Sequence, residues 1–213
     1  MVRTIAIFFG FVSIAFCANS LSSQERKEGF ELLYDGKTLT HWHSIKLQPD
    51  AGSWSGRKGI LTWAKGGSWL ATDDTYYDFI LRLEYRTGPQ SKSGIILRAK
   101  LAGVESPGLT LGLSGRETPA LARGLSDAAV PSKNMAKPDG EWNQVEVTVI
   151  KREVAAVWNG ERILAVNLDE RPLAEHAPFG HIGLQAYSTG APVEFRNIRI
   201  KVLRAGPHFS QDR

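Results

Sequence analysis

The 213-residue sequence has one cysteine, Cys17, so no intramolecular disulfide can form and the fold must be held by its core. Cys17 also closes an apolar N-terminal run, and a chain processed beyond it keeps no thiolate nucleophile. Blocks of one charge are absent too. The 26 lysines and arginines are scattered among 22 acids, for a formal net charge of +4. Single charges on alternate strand positions describe a solvated face, which excludes a nucleic-acid partner. No G-x-S-x-G elbow, H-E-x-x-H pair or phosphate-cradling glycine loop occurs, and no helical repeat follows the N-terminal run.

That N-terminal run is the first positive feature. Arg3 precedes apolar residues from Ile5 to Phe16, too few to anchor a bilayer-spanning helix, and small residues follow around Ala18 and Ser20. The pattern is that of a secretory signal peptide cleaved after Cys17 or Ser20, with a periplasmic or extracellular product that has no membrane span. Phe16 stands where a lipoprotein signal has a small residue before its cysteine. The polar stretch SLSSQERKEG reads as a linker.

Beyond it, apolar residues alternate with period two. Phe79, Leu81, Leu83 and Tyr85 share one face of DFILRLEYR, and Val145, Val147 and Val149 share one face of NQVEVTVIK. Asn159-Gly160 between EVAAVW and ERILAVNL is a two-residue hairpin signal. About ten such strands, broken by Gly, Pro and Asp, specify an all-β, two-sheet jelly roll, a β-sandwich in one domain. In PVEFRNIRIKV the apolar phase switches between Phe195 and Ile198, which predicts a bulge near Arg196-Asn197, the kind of bend at which strands change sheets. Arg116 to Asp139 reads as a long loop with a helical turn at TPALARG. The expected organisation is a signal peptide over 1–20, a linker over 21–29, the jelly roll over 30–203 and a tail over 204–213.

Six tryptophans offer flat rings for sugar stacking, although burial is the default for tryptophan. His41 and His43 have a spacing that suits two metal ligands, but no third is identifiable nearby. His181 opens a strand rich in candidate groove residues. Glu84, Glu141, Glu146 and Glu194 are strand-associated acids whose pairing cannot be read from spacing. In PGLTLGLSG, Leu109, Leu111 and Leu113 make one greasy face while Thr110, Gly112 and Ser114 leave the other almost blank.

Taken in order, EGFELLYDGKTLTHW, GRKGILTW, YYDFILRLEYR, SGIILRA, AKPDGEWN, WNGERI, IGLQAY and VEFRNIRI resemble the 3-keto-disaccharide hydrolase family, which includes 3-keto-glucoside lyase and hydratase activities. The resemblance runs from about Gly29 to Val202 and implies a concanavalin-like jelly roll. It implies a sugar oxidised at C3, whose carbonyl acidifies the C2 proton. A base removes that proton, the C1 group leaves, and water adds to the enone. Lys137, Pro138, Glu141, Trp142, Asn143, Gln185, Phe195, Arg196 and Asn197 match the family pattern. Departures cluster at polar positions. Thr110 stands where the family has an acid, Gly112 where it has an amide, Tyr187-Ser188 where it often has His-Gly, and Lys92 precedes the Ser93-Gly94 turn. The candidate catalytic residues are therefore Arg98 and Lys137 as electrostatic groups, with Tyr187, Glu84 or Glu194 for proton transfer. Thr110, Gly112, Trp142 and Gln185 are the candidate saccharide contacts. No cofactor is assigned, and a divalent metal is left open. Catalysis on a 3-keto-sugar, saccharide binding without catalysis, and an extracellular interaction domain all stand as readings.

Overall fold

In the computed structural model the described residues are 19–46, 52–63, 65–101, 108–113, 121–123, 126–170, 177–188 and 191–207. Met1 to Ala18, which hold nearly all of the expected signal peptide, lie outside them, as do Ser114 and Gly115. Among the described residues, one short α-helix, α1 (Ser23–Glu28), precedes fifteen strands. Sheet A joins β13 (Glu161–Asn167), β12 (Glu153–Trp158), β11 (Asn143–Ile150), β6 (Tyr76–Thr87), β15 (Val193–Ala205), β4 (Ile60–Trp63) and β3 (Ser55–Arg57) in that order, with β1 (Glu31–Leu32) added to β15. Sheet B runs β10 (Ser126–Ala129), β9 (Leu121–Arg123), β8 (Leu109–Leu113), β7 (Lys92–Ala99), β14 (His181–Ser188), β5 (Gly66–Thr72) and β2 (Trp42–Lys46). All pairings are antiparallel, giving the expected jelly-roll sandwich.

The period-two pattern explains the core. Phe79, Leu81, Leu83 and Tyr85 of β6 and Val145, Val147 and Val149 of β11 are buried against Leu109, Leu111, Leu113, Ile95 and Leu184 of sheet B. The hairpin at Asn159-Gly160 forms with both residues at positive φ, 48° and 88°. Asn159 ties it down by donating to the carbonyl of Met135 at 2.7 Å and to Asn143 Oδ1 at 2.9 Å.

Four expectations change. The bulge in β15 is present, with Asn197 at φ 54° and a register shift between Arg196 and Arg199, but the strand stays in sheet A and pairs with β6 on both sides of it. The bulge lets Phe195 and Ile198 both point inward. In the expected loop over Arg116 to Asp139, β9 and β10 extend sheet B, and Leu121 to Arg123 of TPALARG is strand rather than helix because Leu121 is needed in the core. β15 runs two residues past the boundary at 203.

The stretch 21–29, read as a linker, contains α1, because Ser22 and Glu25 form a reciprocal capping box and Gly29 ends the helix at φ 84°. This helix lies on the outer face of sheet A. There Glu25 meets Arg199 at 3.0 Å and Arg82 at 3.7 Å, and the Arg82 guanidinium stacks 4.2 Å from the centre of the Phe30 ring.

Candidate functional site

The outer face of sheet B contains the blank strand. Gln185 of β14 pairs in register with Trp69 of β5 on one side and Gly94 of β7 on the other, and Gly94 pairs with Gly112 of β8. The next row holds His43, Ala71, Gly183, Ile96 and Thr110. On the other side of the Gln185 row, Tyr187 pairs with Gly67 and with Lys92. Paired residues in an antiparallel sheet share a face, so Gln185, Thr110, Tyr187, Gly94, Gly112 and Lys92 form one patch.

Glycine at 94 determines its shape. A Cβ there would sit 2.7 Å from Thr110 Cγ2 and 3.4 Å from Gln185 Oε1. The threonine and the glutamine therefore converge over the strand between them. Tyr187 is 45% exposed at the edge of the patch. From Gln185 to Gly112 the patch spans two strand spacings, about 10 Å. Among its described side chains there is no carboxylate.

The face has a second part with different chemistry. Trp69, Ala71, Ile96 and Ala99 form a small apolar cluster closed by Ile45 and Leu101. At its far end the His43 Nδ1–H donates to Asp73 Oδ1 at 2.8 Å, leaving His43 Nε2 enclosed and without a hydrogen bond. The His43 and His181 rings meet edge-on, 5.8 Å between centroids. His181 Nδ1–H donates to the Thr72 carbonyl at 2.7 Å. The sequence drew attention to these histidines but gave no sign of Asp73, which lies 30 residues from His43. Among the described residues no set of three His, Cys, Asp or Glu is placed to hold a metal ion.

The other candidates lie elsewhere. Glu84, Glu194 and Trp142 are on the outer face of sheet A, behind the core. Glu84 accepts from Arg196 Nε at 2.7 Å and from Asn197 Nδ2 at 2.9 Å, and Glu194 accepts from Arg86. The Trp142 ring is flanked by the Arg196 and Arg86 guanidinium groups, 4.0 and 4.8 Å from its centre. Glu146, an acid from the same sequence reading, pairs with Arg82 at 2.7 Å. Lys137 Nζ donates to the carbonyl of Trp142 at 3.1 Å in the loop before β11. Arg98 is buried and turned away from the patch, donating to the carbonyls of Tyr77 and Lys151 and lying 3.3 Å from Asp78. Of the nine candidates, Tyr187, Thr110, Gly112 and Gln185 come together on sheet B, Glu84, Glu194, Trp142 and Lys137 gather behind the core around the Trp142 ring, and Arg98 joins neither group.

Residues 29–201 match the family described as the 3-keto-alpha-glucoside-1,2-lyase-like domain. The chain belongs to that family. A 3-keto-disaccharide hydrolase of Bacteroides thetaiotaomicron is 24% identical over 87% of this chain and 82% of its own length. A structure from Parabacteroides distasonis assigned as a glycosyl hydrolase superposes with TM-score 0.70 at 23% identity, covering 87% of this chain and 99% of its own. The carbohydrate-binding module CBM66 of Bacillus subtilis reaches TM-score 0.56 at 11% identity, over 75% and 94% of the two chains. These folds carry both hydrolases and binding modules, so the choice of function rests on the site. This 3-keto-disaccharide hydrolase-like protein is carbohydrate-active by family.

The histidine end has a testable electrostatic consequence. Burial holds the His181 pKa below its ordinary 6.5, only partly offset by the Thr72 carbonyl. The unfolded chain therefore binds a proton there more readily than the folded one. The stability contribution of neutral His181 is complete above about pH 6.5 and declines as pH falls through that value. Thermal unfolding followed from pH 7.5 to 5.5 is expected to show a falling Tm, with a shallower fall in His181→Gln; equal slopes in the two proteins would exclude His181 as the source.

Proposed function

We propose that the protein recognises a saccharide of the 3-keto-disaccharide class on the outer face of sheet B, and that recognition there has outlasted the elimination chemistry of the family. The convergence of Gln185 and Thr110 over Gly94 carries this reading. An amide and a hydroxyl can each donate to and accept from sugar hydroxyls. The glycines at 94 and 112 add no side chain of their own to this face, and the Tyr187 ring, exposed at its edge, offers an apolar face to the C–H groups of a sugar.

The chemistry asks for more. Abstraction of the C2 proton needs a base, and an enolate needs a cation or donor at the ketone oxygen. Around Gly94 the described groups are an amide, two hydroxyls and the Lys92 side chain, with no carboxylate or imidazole among them. A general base is worth ~10²–10⁴ in rate. We therefore read the patch as a binding site in a protein that works outside the cytoplasm, as the N-terminal sequence suggests.

One observation favours a second reading. The His43–Asp73 pair is an oriented imidazole whose Nε2 makes no hydrogen bond, and in a working enzyme it would be the proton acceptor. NMR titration with a 3-keto-disaccharide and with its unoxidised parent separates the two. Saturable shifts without loss of keto-sugar are expected, with affinity reduced about tenfold or more in Gln185→Ala. Turnover that disappears in His43→Gln would favour the second reading, and no binding of either sugar would overturn both.

A further inference from the structure

The outer face of sheet A holds the beginning of the described chain in an unexpected way. Asn19 is buried, 8% exposed, and three hydrogen bonds tie it to distant parts of the fold. Its backbone N–H donates to Asn197 Oδ1 at 2.6 Å, and the Asn197 N–H donates back to Asn19 Oδ1 at 2.9 Å. The Asn19 amide nitrogen donates to the Gly59 carbonyl at 2.7 Å. Asn197 is the bulge residue of β15, so its N–H falls outside the regular ladder and Asn19 satisfies it. Gly36 leaves the space Asn19 uses, since a Cβ there would lie 2.8 Å from Asn19 Nδ2. Four segments, around residues 19, 36, 59 and 197, are thus fastened at one point.

The sequence offers two cleavage positions for a signal peptidase, after Cys17 and after Ser20. They differ in one decisive respect: the second removes Asn19. We propose that processing occurs between Cys17 and Ala18, so that the mature chain begins at Ala18 and Asn19 is its N-terminal clasp. Cleavage after Ser20 would remove the hydrogen-bond partner of the Asn197 N–H and of the Gly59 carbonyl. The first cut leaves α1, its capping box and the Asn19–Asn197 pair intact. This inference rests on the secretory reading of residues 1–20 and is independent of the saccharide site.

The test is the intact mass of the full chain expressed in a bacterial host and recovered from its periplasm. A mass equal to residues 18–213 is expected. A mass beginning at Leu21, an unprocessed chain beginning at Met1, or a chain beginning at an acylated Cys17 would each overturn the proposal. A second measurement tests the clasp itself. Chains made to begin at Ala18 and at Leu21 are compared by thermal unfolding, and the shorter is expected to melt about 5–10 °C lower. Equal melting temperatures would remove the physical reason for preferring the first cut.

Discussion

Replacing Arg98 by alanine is expected to destabilise the protein by about 3–5 kcal/mol while leaving saccharide affinity in the remaining folded protein unchanged. The guanidinium reaches three places at once. It donates to the Tyr77 carbonyl at the start of β6, to the Lys151 carbonyl in the turn between β11 and β12 at 2.8 Å, and lies 3.3 Å from Asp78. Burial lowers its pKa to about 10, with Asp78 opposing the shift, so the group remains charged at neutral pH. Alanine would leave the Tyr77 and Lys151 carbonyls without these bonds. It would also deprive Asp78 of one of its partners, although Lys151 N–H and Arg204 remain at 2.7 and 3.3 Å. Urea unfolding monitored by tryptophan fluorescence measures the loss. Unchanged stability with abolished binding would return Arg98 to the ligand site.

Trp158→Ala is expected to cost a similar ~3–5 kcal/mol, the range for removing a buried large aromatic. Trp158 is fully buried in β12, opposite Val145 of β11, and packs edge-on against Tyr85 at 5.7 Å between centroids. Its ring fills the inside of the sandwich, so alanine leaves a cavity that a sheet paired on both sides cannot collapse to fill. Trp158→Phe keeps most of that volume and should lose much less. If alanine costs under ~1 kcal/mol in the same unfolding experiment, the packing described here is wrong at that point.

These two residues show where sequence reading succeeds and where it stops. Alternation told which side chains of a strand face the core, and β6 and β11 follow it residue by residue. It does not tell which sheet a strand joins. Glu84 and Thr110 both point away from the core, but from opposite sides of the sandwich, because β6 is central to sheet A and β8 belongs to sheet B. The candidate site was split for that reason.

Bulges are legible only against a changing background. At Asn197 the apolar phase shifts visibly from Phe195 to Ile198. At Arg98 the preceding residues Ile95, Ile96 and Leu97 are all apolar, so parity alone puts Arg98 on the face of Gly94 and Ile96. A φ of 53° at Arg98 and the register shift opposite it send the side chain elsewhere. Five of the six tryptophans are buried, as their size favours, and Trp142 found arginines instead of sugar.

The charged face of sheet A has an evolutionary corollary. Arg82 pairs with Glu146, Arg86 with Glu194, Arg196 with Glu84 and Arg199 with Glu25, and the longer contacts of Arg82 with Glu25 and Glu28 join two of these pairs through α1. Most of these side chains are largely withdrawn from water, so losing one partner leaves an uncompensated charge at greater cost than losing both. Substitutions across these strands should therefore be inherited in couples, so that homologous chains keep or exchange each pair as a unit while the glycine-lined patch on sheet B drifts one position at a time.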